Sequence, residues 1–153
     1  MTPEPRSAAR AAFMAGTDWA RATVTPLAGD ASPRRYFRVI GGPSPAVLMD
    51  ADPATGEDVR PFAAITALLR ARGLSAPALL AGDPAEGFLL IEDLGNDLFA
   101  RICRNDPARE PHLYETAIDL LADLHETPPP EMTPPLPDLG MPACRIPPYD
   151  TAT

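Results

Sequence analysis

A turn of small residues is the part of this 153-residue chain whose composition is best suited to binding phosphate. It consists of Gly29, Asp30, Ala31 and Ser32 and lies between two β-branched stretches. Small side chains let backbone N–H groups approach phosphate oxygens, as in the loops that cover the phosphates of a nucleotide. An ordinary hairpin loop uses the same residue types. The turn alone therefore leaves a phosphate loop and a plain hairpin open.

Arginine supplies all thirteen basic residues of the chain, which contains no lysine. The basic cluster of the chain follows the turn and consists of Arg34, Arg35 and Arg38. On a strand, Arg34 and Arg38 would share one face and Arg35 would lie on the other. The cluster could bind phosphate or an acidic sugar, or consist of solvated charges at a strand edge. A lysine that clamps phosphate or forms a Schiff base is excluded within this chain.

The histidine, aspartate and cysteine residues that could act in catalysis or bind a metal are better explained by structural roles. His125 ends an amphipathic helix, where a partly buried histidine near the helix dipole is expected. Asp119 and Asp123 lie one helical turn apart and indicate a solvated face rather than a catalytic carboxylate pair. Cys103 and Cys144 lack the spacing of a zinc site or a disulfide framework, which predicts a cytoplasmic location.

The elements that would position these residues follow from hydrophobic periodicity. Apolar and β-branched stretches predict strands at residues 21–27, 36–40, 46–49, 78–81 and 87–93. The first three are joined by tight turns, which is typical of an antiparallel meander. Between the third and fourth strands the period becomes helical over residues 56–72. The sequence therefore predicts an α+β fold with five antiparallel strands and one inserted helix.

Further helices are predicted at residues 5–15, 96–104 and 107–126, the last with an apolar stripe. That stripe consists of Leu113, Ala117, Leu120, Leu121 and Leu124. From residue 127 onward the chain is rich in proline, which predicts an extended or disordered segment. We therefore predict four parts: an N-terminal helical segment at 1–20, a sheet domain at 21–95, helices at 96–126 and a proline-rich tail at 127–153.

Composition and charge narrow the class of protein. An apolar fraction of 45% and a charged fraction of 22% are typical of a soluble globular domain. A net charge of −8 argues against a nucleic-acid or anionic-membrane partner, which would require a basic surface. The N-terminus lacks the long apolar run of a signal peptide or membrane span. We expect a cytoplasmic protein.

Five motifs occur in an order and spacing that resemble a known family. They are GDASPRRYFRV at 29–39, VLMDA at 47–51, LLIEDLG at 89–95, LLADLH at 120–125 and IPPYD at 146–150. The chain resembles the aminoglycoside-phosphotransferase-like family. Within it, the chain is most similar to bacterial kinases that phosphorylate the anomeric hydroxyl of N-acetylmuramate or N-acetylglucosamine in cell-wall recycling. The resemblance implies a protein-kinase-like N-lobe followed by the helical beginning of a C-lobe.

The resemblance also implies roles for individual residues in binding ATP. The small-residue turn at 29–32 would cover the phosphates, while Val47 and Ile91 would wall the adenine. The Glu92 carbonyl and the Leu94 N–H would form the hinge that hydrogen-bonds adenine. Met49 lies where many kinase-like folds carry the lysine that pairs with α- and β-phosphates, and the sugar-kinase branch resembles this chain in carrying VLMD there.

In many kinase-like folds that lysine also pairs with an acidic residue of the inserted helix. Glu57, at the start of the inserted helix, is expected either as this acidic residue or as an exposed charge favourable to the helix dipole. Because no lysine is present to pair with it, the exposed charge is the preferred interpretation.

The family supplies its catalytic base and magnesium ligands from an HGD-type loop and a later IDF-type aspartate. Neither string occurs in these 153 residues, so we assign no catalytic residue and no metal ligand. ATP, Mg²⁺ and an amino sugar are implied as ligands, with the sugar bound mainly by a C-lobe. We expect the N-terminal portion of a longer kinase, inactive alone. A stand-alone nucleotide-binding or regulatory module with a decayed site is the alternative.

Overall fold

Five short strands form one antiparallel sheet in the computed structural model, which describes residues 6–28 and 32–146. The strands are β1 Thr23–Pro26, β2 Arg35–Ile40, β3 Ala46–Asp50, β4 Leu79–Asp83 and β5 Phe88–Glu92. Their order across the sheet is β1-β2-β3-β5-β4, and every neighbouring pair is antiparallel. The α+β fold class predicted from hydrophobic periodicity is confirmed.

One face of the sheet is covered by the N-terminal helix α1, Ser7–Ala15. Met14 and Trp19 pack there against Phe37, Leu48 and Phe88, which alternate with residues of the opposite face. The rings of Phe13 and Phe88 stack at 5.3 Å between centroids. Trp19 Nε1 donates a hydrogen bond to the Ser44 carbonyl at 2.7 Å, so the indole is both buried and anchored.

A buried carboxylate lies under this helix. Asp50, at the end of β3, is 2% exposed and accepts hydrogen bonds from Arg6 Nε at 2.7 Å and Arg10 Nη1 at 3.4 Å. The two guanidinium groups also lie over the rings of Phe88 and Phe37. The sequence suggests a strand-end turn residue at this position, whereas the structure makes Asp50 the charged centre of the contact between α1 and the sheet.

The opposite face of the sheet is covered by helix α2, Arg60–Ala71. Val59 and Ala63 pack there against Met49, Leu89 and Ile91. The helix begins four residues later than the period predicts, because Asp58 accepts the backbone N–H of Arg60 at 2.9 Å and so ends the preceding turn. The side-chain hydrogen bond from Arg60 lowers the pKa of Asp58.

Residues 132–145 fold back onto the unit that contains the sheet, which differs from the extended or disordered segment expected from proline content. Antiparallel bridges join Met132 to Arg145 and Leu136 to Met141, around a short 3-10 helix at Pro137–Leu139. Met141 is 4% exposed and packs in the cluster beneath α2. The composition-based expectation overlooked that a few apolar side chains can anchor a proline-rich segment to an existing core.

A second unit comprises residues 94–131 with 146–153, of which 147–153 lie outside the described residues. It contains α3, Phe99–Asn105, and α4, Glu110–Glu126, joined by a short 3-10 helix at Pro107–Arg109. The rings of Phe99 and Tyr114 meet edge to face at 6.1 Å. No described residue of α4 is buried; His125, expected to be partly buried, is exposed.

Within residues 6–28 and 32–146, we find no helix with the length and apolar character needed to cross a membrane.

Candidate functional site

The β1–β2 turn was the first predicted site, and the structure describes only its end. Gly29, Asp30 and Ala31 lie outside the described residues. Ser32 lies within them, and its Oγ accepts the backbone N–H of Arg34 at 3.3 Å. This contact is a local turn of the kind that serine commonly stabilises. The phosphate-loop role of residues 29–32 stays a prediction.

The predicted adenine walls lie side by side on the face that α2 covers. Val47 on β3 is the direct antiparallel partner of Ile91 on β5, so both side chains project from the same face. Val47 is partly buried and Ile91 is 8% exposed, which leaves a small apolar surface at the end of β5. The structure therefore brings together two of the residues that the resemblance names.

Met49 lies on the same face but deeper in the core. It has 0% exposure and packs with Val59, Ala63 and Leu89 beneath α2. A ligand could touch it only if that packing opened. Its direct contact with a nucleotide stays a prediction, and one that the observed packing does not favour.

The segment after β5 is fixed by an ion pair between Asp93 and an arginine of β2, which lies 55 residues away in the sequence. Arg38 on β2 contacts Asp93 through Nε at 2.7 Å and Nη2 at 3.2 Å, a two-point geometry. The Asp93 side chain is 9% exposed. Arg38 was expected as a phosphate ligand or a solvated charge; the structure instead uses it to tie the hinge segment to the sheet.

The predicted hinge residue Glu92 uses its side chain for structure. Its carboxylate accepts the backbone N–H of Ala78 at 2.9 Å, and its own N–H donates to the Ala78 carbonyl at 2.9 Å. Arg70 Nη1 lies 3.7 Å from the same carboxylate. Leu94, the other predicted hinge residue, is 61% exposed and belongs to the second unit. The predicted adenine contacts involve backbone groups, so these side-chain positions leave them as predictions.

A second ion pair lies at the other end of this face. Arg34 Nε contacts Glu57 Oε2 at 2.6 Å, and the side chains are 29% and 16% exposed. The hydrogen bond that Arg34 donates to Glu57 raises the pKa of the Arg34 guanidinium above its ordinary value. Glu57 was interpreted as an exposed charge at a helix start. It instead precedes α2 and is held by an arginine 23 positions away in the sequence, a pairing that no local pattern indicates.

The family follows from comparison with known proteins. Residues 23–149 match the sequence profile of the phosphotransferase enzyme family, APH, a range that includes the whole sheet, α2 and both helices of the second unit. This chain belongs to the phosphotransferase enzyme family. The family resemblance inferred from the five motifs is confirmed, and the sheet with its inserted helix is consistent with the family's kinase-like N-lobe.

Three curated relatives of this phosphotransferase-family chain are named N-acetylmuramate/N-acetylglucosamine kinase. The protein of Caulobacter vibrioides is 35% identical over 83% of this chain and 42% of its own length. Those of Pseudomonas aeruginosa and Pseudomonas putida are 42% and 40% identical, over 65% and 75% of this chain. The chain spans 29% and 32% of the length of these two Pseudomonas relatives.

Proposed function

We propose that this chain is the nucleotide-binding part of a cytoplasmic phosphotransferase that uses ATP to phosphorylate a hydroxyl of an amino sugar. The observation that carries the proposal is the pairing of Val47 with Ile91 on one face, immediately before Glu92, in a chain of the phosphotransferase family. The names of the three relatives support an amino sugar such as N-acetylmuramate or N-acetylglucosamine as the acceptor.

The adenine base would lie against Val47 and Ile91, whose apolar side chains suit the faces of a planar ring. The main-chain carbonyl of Glu92 and, further along the chain, the N–H of Leu94 would give the base its hydrogen bonds. The ion pair between Arg38 and Asp93 supports this assignment, because it fixes the backbone beside Glu92 before any ligand arrives.

The reaction needs groups to which no residue among these 153 is assigned. Mg²⁺, when bound, neutralises charge on the transferring phosphoryl group, and a carboxylate orients the acceptor hydroxyl. The HGD and IDF strings that would supply these functions are absent from the sequence. The residues present therefore suit binding and orientation of the nucleotide and supply no assigned base or metal ligand.

Replacing Val47 by tyrosine tests the location of the adenine site. Tyrosine is favourable in strands, so we expect the fold to persist, whereas its ring would occupy the space proposed for the base. We expect ATP to bind at least about tenfold more weakly, a change of about 1.4 kcal/mol in binding free energy. Isothermal titration calorimetry on the 153-residue chain measures this change.

Ile40→Tyr provides a matched control, because Ile40 is also a strand residue but is 56% exposed. This variant should bind ATP as the unaltered chain does. Equal ATP affinity of the Val47→Tyr variant and the unaltered chain would place adenine elsewhere.

The purified chain, supplied with ATP, Mg²⁺ and either amino sugar, is expected to release no sugar phosphate and no ADP above background. The physical reason is the lack of an assigned general base and metal ligand. Mass spectrometry of the sugar and a coupled ADP assay would detect turnover, with the Caulobacter vibrioides kinase as the positive control. Formation of a sugar phosphate by this chain would contradict the expectation directly.

Exposed apolar side chains on α4 support a second candidate, a nucleotide-binding or regulatory module that associates with another protein. Ile118 and Leu121 are 62% and 53% exposed. Neighbouring exposed apolar side chains of this kind are typical of a surface that binds another protein. A fusion of this chain to the C-terminal remainder of the Caulobacter vibrioides kinase separates the two candidates. Sugar phosphorylation by the fusion supports the kinase; nucleotide binding by a well-folded fusion without turnover supports the module.

A further inference from the structure

The Arg34–Glu57 ion pair lies beside the position that lacks a lysine. In the β2–β3 register, Tyr36 is the partner of Met49 and Arg35 is the partner of Asp50. Tyr36 packs with Met49 in the cluster under α2, and Arg34 is two residues earlier, on the same side of the strand. The contact of Arg34 with Glu57 confirms that its side chain projects toward the α2 side.

Kinase-like phosphotransferases need a cation near the α- and β-phosphates, and many hold a lysine there by an ion pair with an acid of the inserted helix. This chain has no lysine and places the apolar Met49 at that position. The two arginines within β2 have different surroundings: Arg38 contacts Asp93, and Arg35 falls on the opposite side of the strand by alternation. Arg34 is therefore the arginine of this cluster best placed for the task.

The Arg34 side chain also has the access and the donors that a phosphate site needs. It is 29% exposed, so a ligand can reach the guanidinium from solvent. Its bond to Glu57 uses Nε, one of the five N–H donors of a guanidinium. Arginine can bind phosphate oxygens through two parallel N–H groups of its planar guanidinium, a fixed geometry that the rotating ammonium group of lysine does not have.

We propose that Arg34 binds the phosphates of the nucleotide and that Glu57 is its positioning residue, so that this pair replaces the lysine–glutamate pair of other kinase-like folds. The inference rests on the proposed nucleotide-binding function and adds the phosphate-binding residue to it. Glu57 holds the guanidinium from the segment just before α2, so phosphate binding would also stabilise the position of that helix.

Binding of adenosine, ADP and ATP to the 153-residue chain and its variants tests the proposal by calorimetry. Arg34→Gln is expected to weaken ADP and ATP binding about 10- to 100-fold, the range for losing a charge-assisted hydrogen bond, and to change adenosine binding less than about twofold. Arg34→Lys should recover part of the loss, because the charge returns without the two-point geometry. Arg35→Gln is the matched control, with unchanged affinity for all three ligands.

Glu57→Gln should weaken ATP binding by about three- to tenfold and leave adenosine binding unchanged, because Arg34 keeps its charge but loses its charged partner. Tighter ATP binding by this variant would overturn the positioning role and show that Glu57 competes with phosphate. Urea unfolding followed by the fluorescence of Trp19, the single tryptophan and 7% exposed, tells a loss of fold apart from a loss of binding.

The outcomes separate this inference from the proposed function. Equal ATP affinity of Arg34→Gln and the unaltered chain overturns the inference and leaves the nucleotide site standing. Absence of both ATP and adenosine binding by the well-folded unaltered chain overturns both. A loss of N-acetylmuramate binding, with ATP binding unchanged, would assign Arg34 to the sugar carboxylate and overturn the phosphate assignment.

Discussion

Replacing Asp50 by alanine is expected to lower the free energy of unfolding by about 3–5 kcal/mol, the cost of removing one partner from a buried ion pair. Asp50 is 2% exposed and accepts hydrogen bonds from Arg6 and Arg10. Without it, two guanidinium groups that are largely removed from water lose their common counterion. Arg6 would keep its contact with Asp52 at 3.4 Å, but both guanidinium groups, which lie over the rings of Phe88 and Phe37, would lose the carboxylate that they share, so the contact between α1 and the sheet should weaken first.

Urea unfolding followed by Trp19 fluorescence measures this loss, since Trp19 lies in the same cluster as Phe37 and Phe88. Asp18→Ala is the matched control: Asp18 is an exposed aspartate next to that tryptophan in the sequence, and its replacement should change the free energy of unfolding by less than about 0.5 kcal/mol. A loss below about 1 kcal/mol for Asp50→Ala would mean that the arginines do not depend on the carboxylate.

Gly87→Ala is expected to destabilise the sheet by about 2–5 kcal/mol, through backbone strain and steric overlap together. Gly87 ends the turn between β4 and β5 with a φ of +76°. A Cβ there would lie 2.0 Å from the Ala51 carbonyl oxygen, which is backbone and cannot rotate away. The Gly87 carbonyl accepts the N–H of Ala51 at 2.9 Å, so relieving the overlap would also break the hydrogen bond that joins the turn to the end of β3.

Gly73→Ala isolates the strain alone. Gly73 follows α2 with a φ of +80°, and a Cβ there would meet no atom within 4 Å. We expect this control to lose only about 1–2 kcal/mol, the cost of the left-handed conformation for alanine. The two variants are compared by their urea midpoints at constant slope. Equal losses of unfolding free energy would show that the turn before β5 relaxes around the added Cβ at no energetic cost. The loss at Gly87 would then come only from its positive φ.

Much of the fold could be predicted because its signals are local. In β2, β3 and β5, apolar residues run continuously or alternate over several positions, and these strands begin and end within one or two residues of the predicted bounds. Helix α2 has apolar residues at helical spacing, so the sequence predicts a helix there. Its first residue was not predicted, because Asp58 ends the preceding turn. A side chain that caps the backbone two residues later is a weaker signal than a period sustained over three turns.

Some features of the candidate site could likewise be predicted from the sequence, and others could not. Val47 and Ile91 could be named because the family resemblance implies them as the adenine walls, and the structure pairs them directly. The depth of Met49 could not be predicted, since alternation assigns a face but not what covers it. The order of residues 132–145 depends on Met141 reaching a cluster built from β3, β5 and α2, which composition does not record.

The sequence by itself determined the antiparallel strands, the inserted helix, the family and the residues predicted to contact adenine, because each depends on patterns within a short window or on motif order. Only the tertiary structure decided how the charges pair. Asp50 meets Arg6 and Arg10 at separations of 44 and 40 residues, and Arg38 meets Asp93 at 55. The physical reason is that ion pairing depends on distance in space, and chain folding sets that distance through contacts that no single segment encodes.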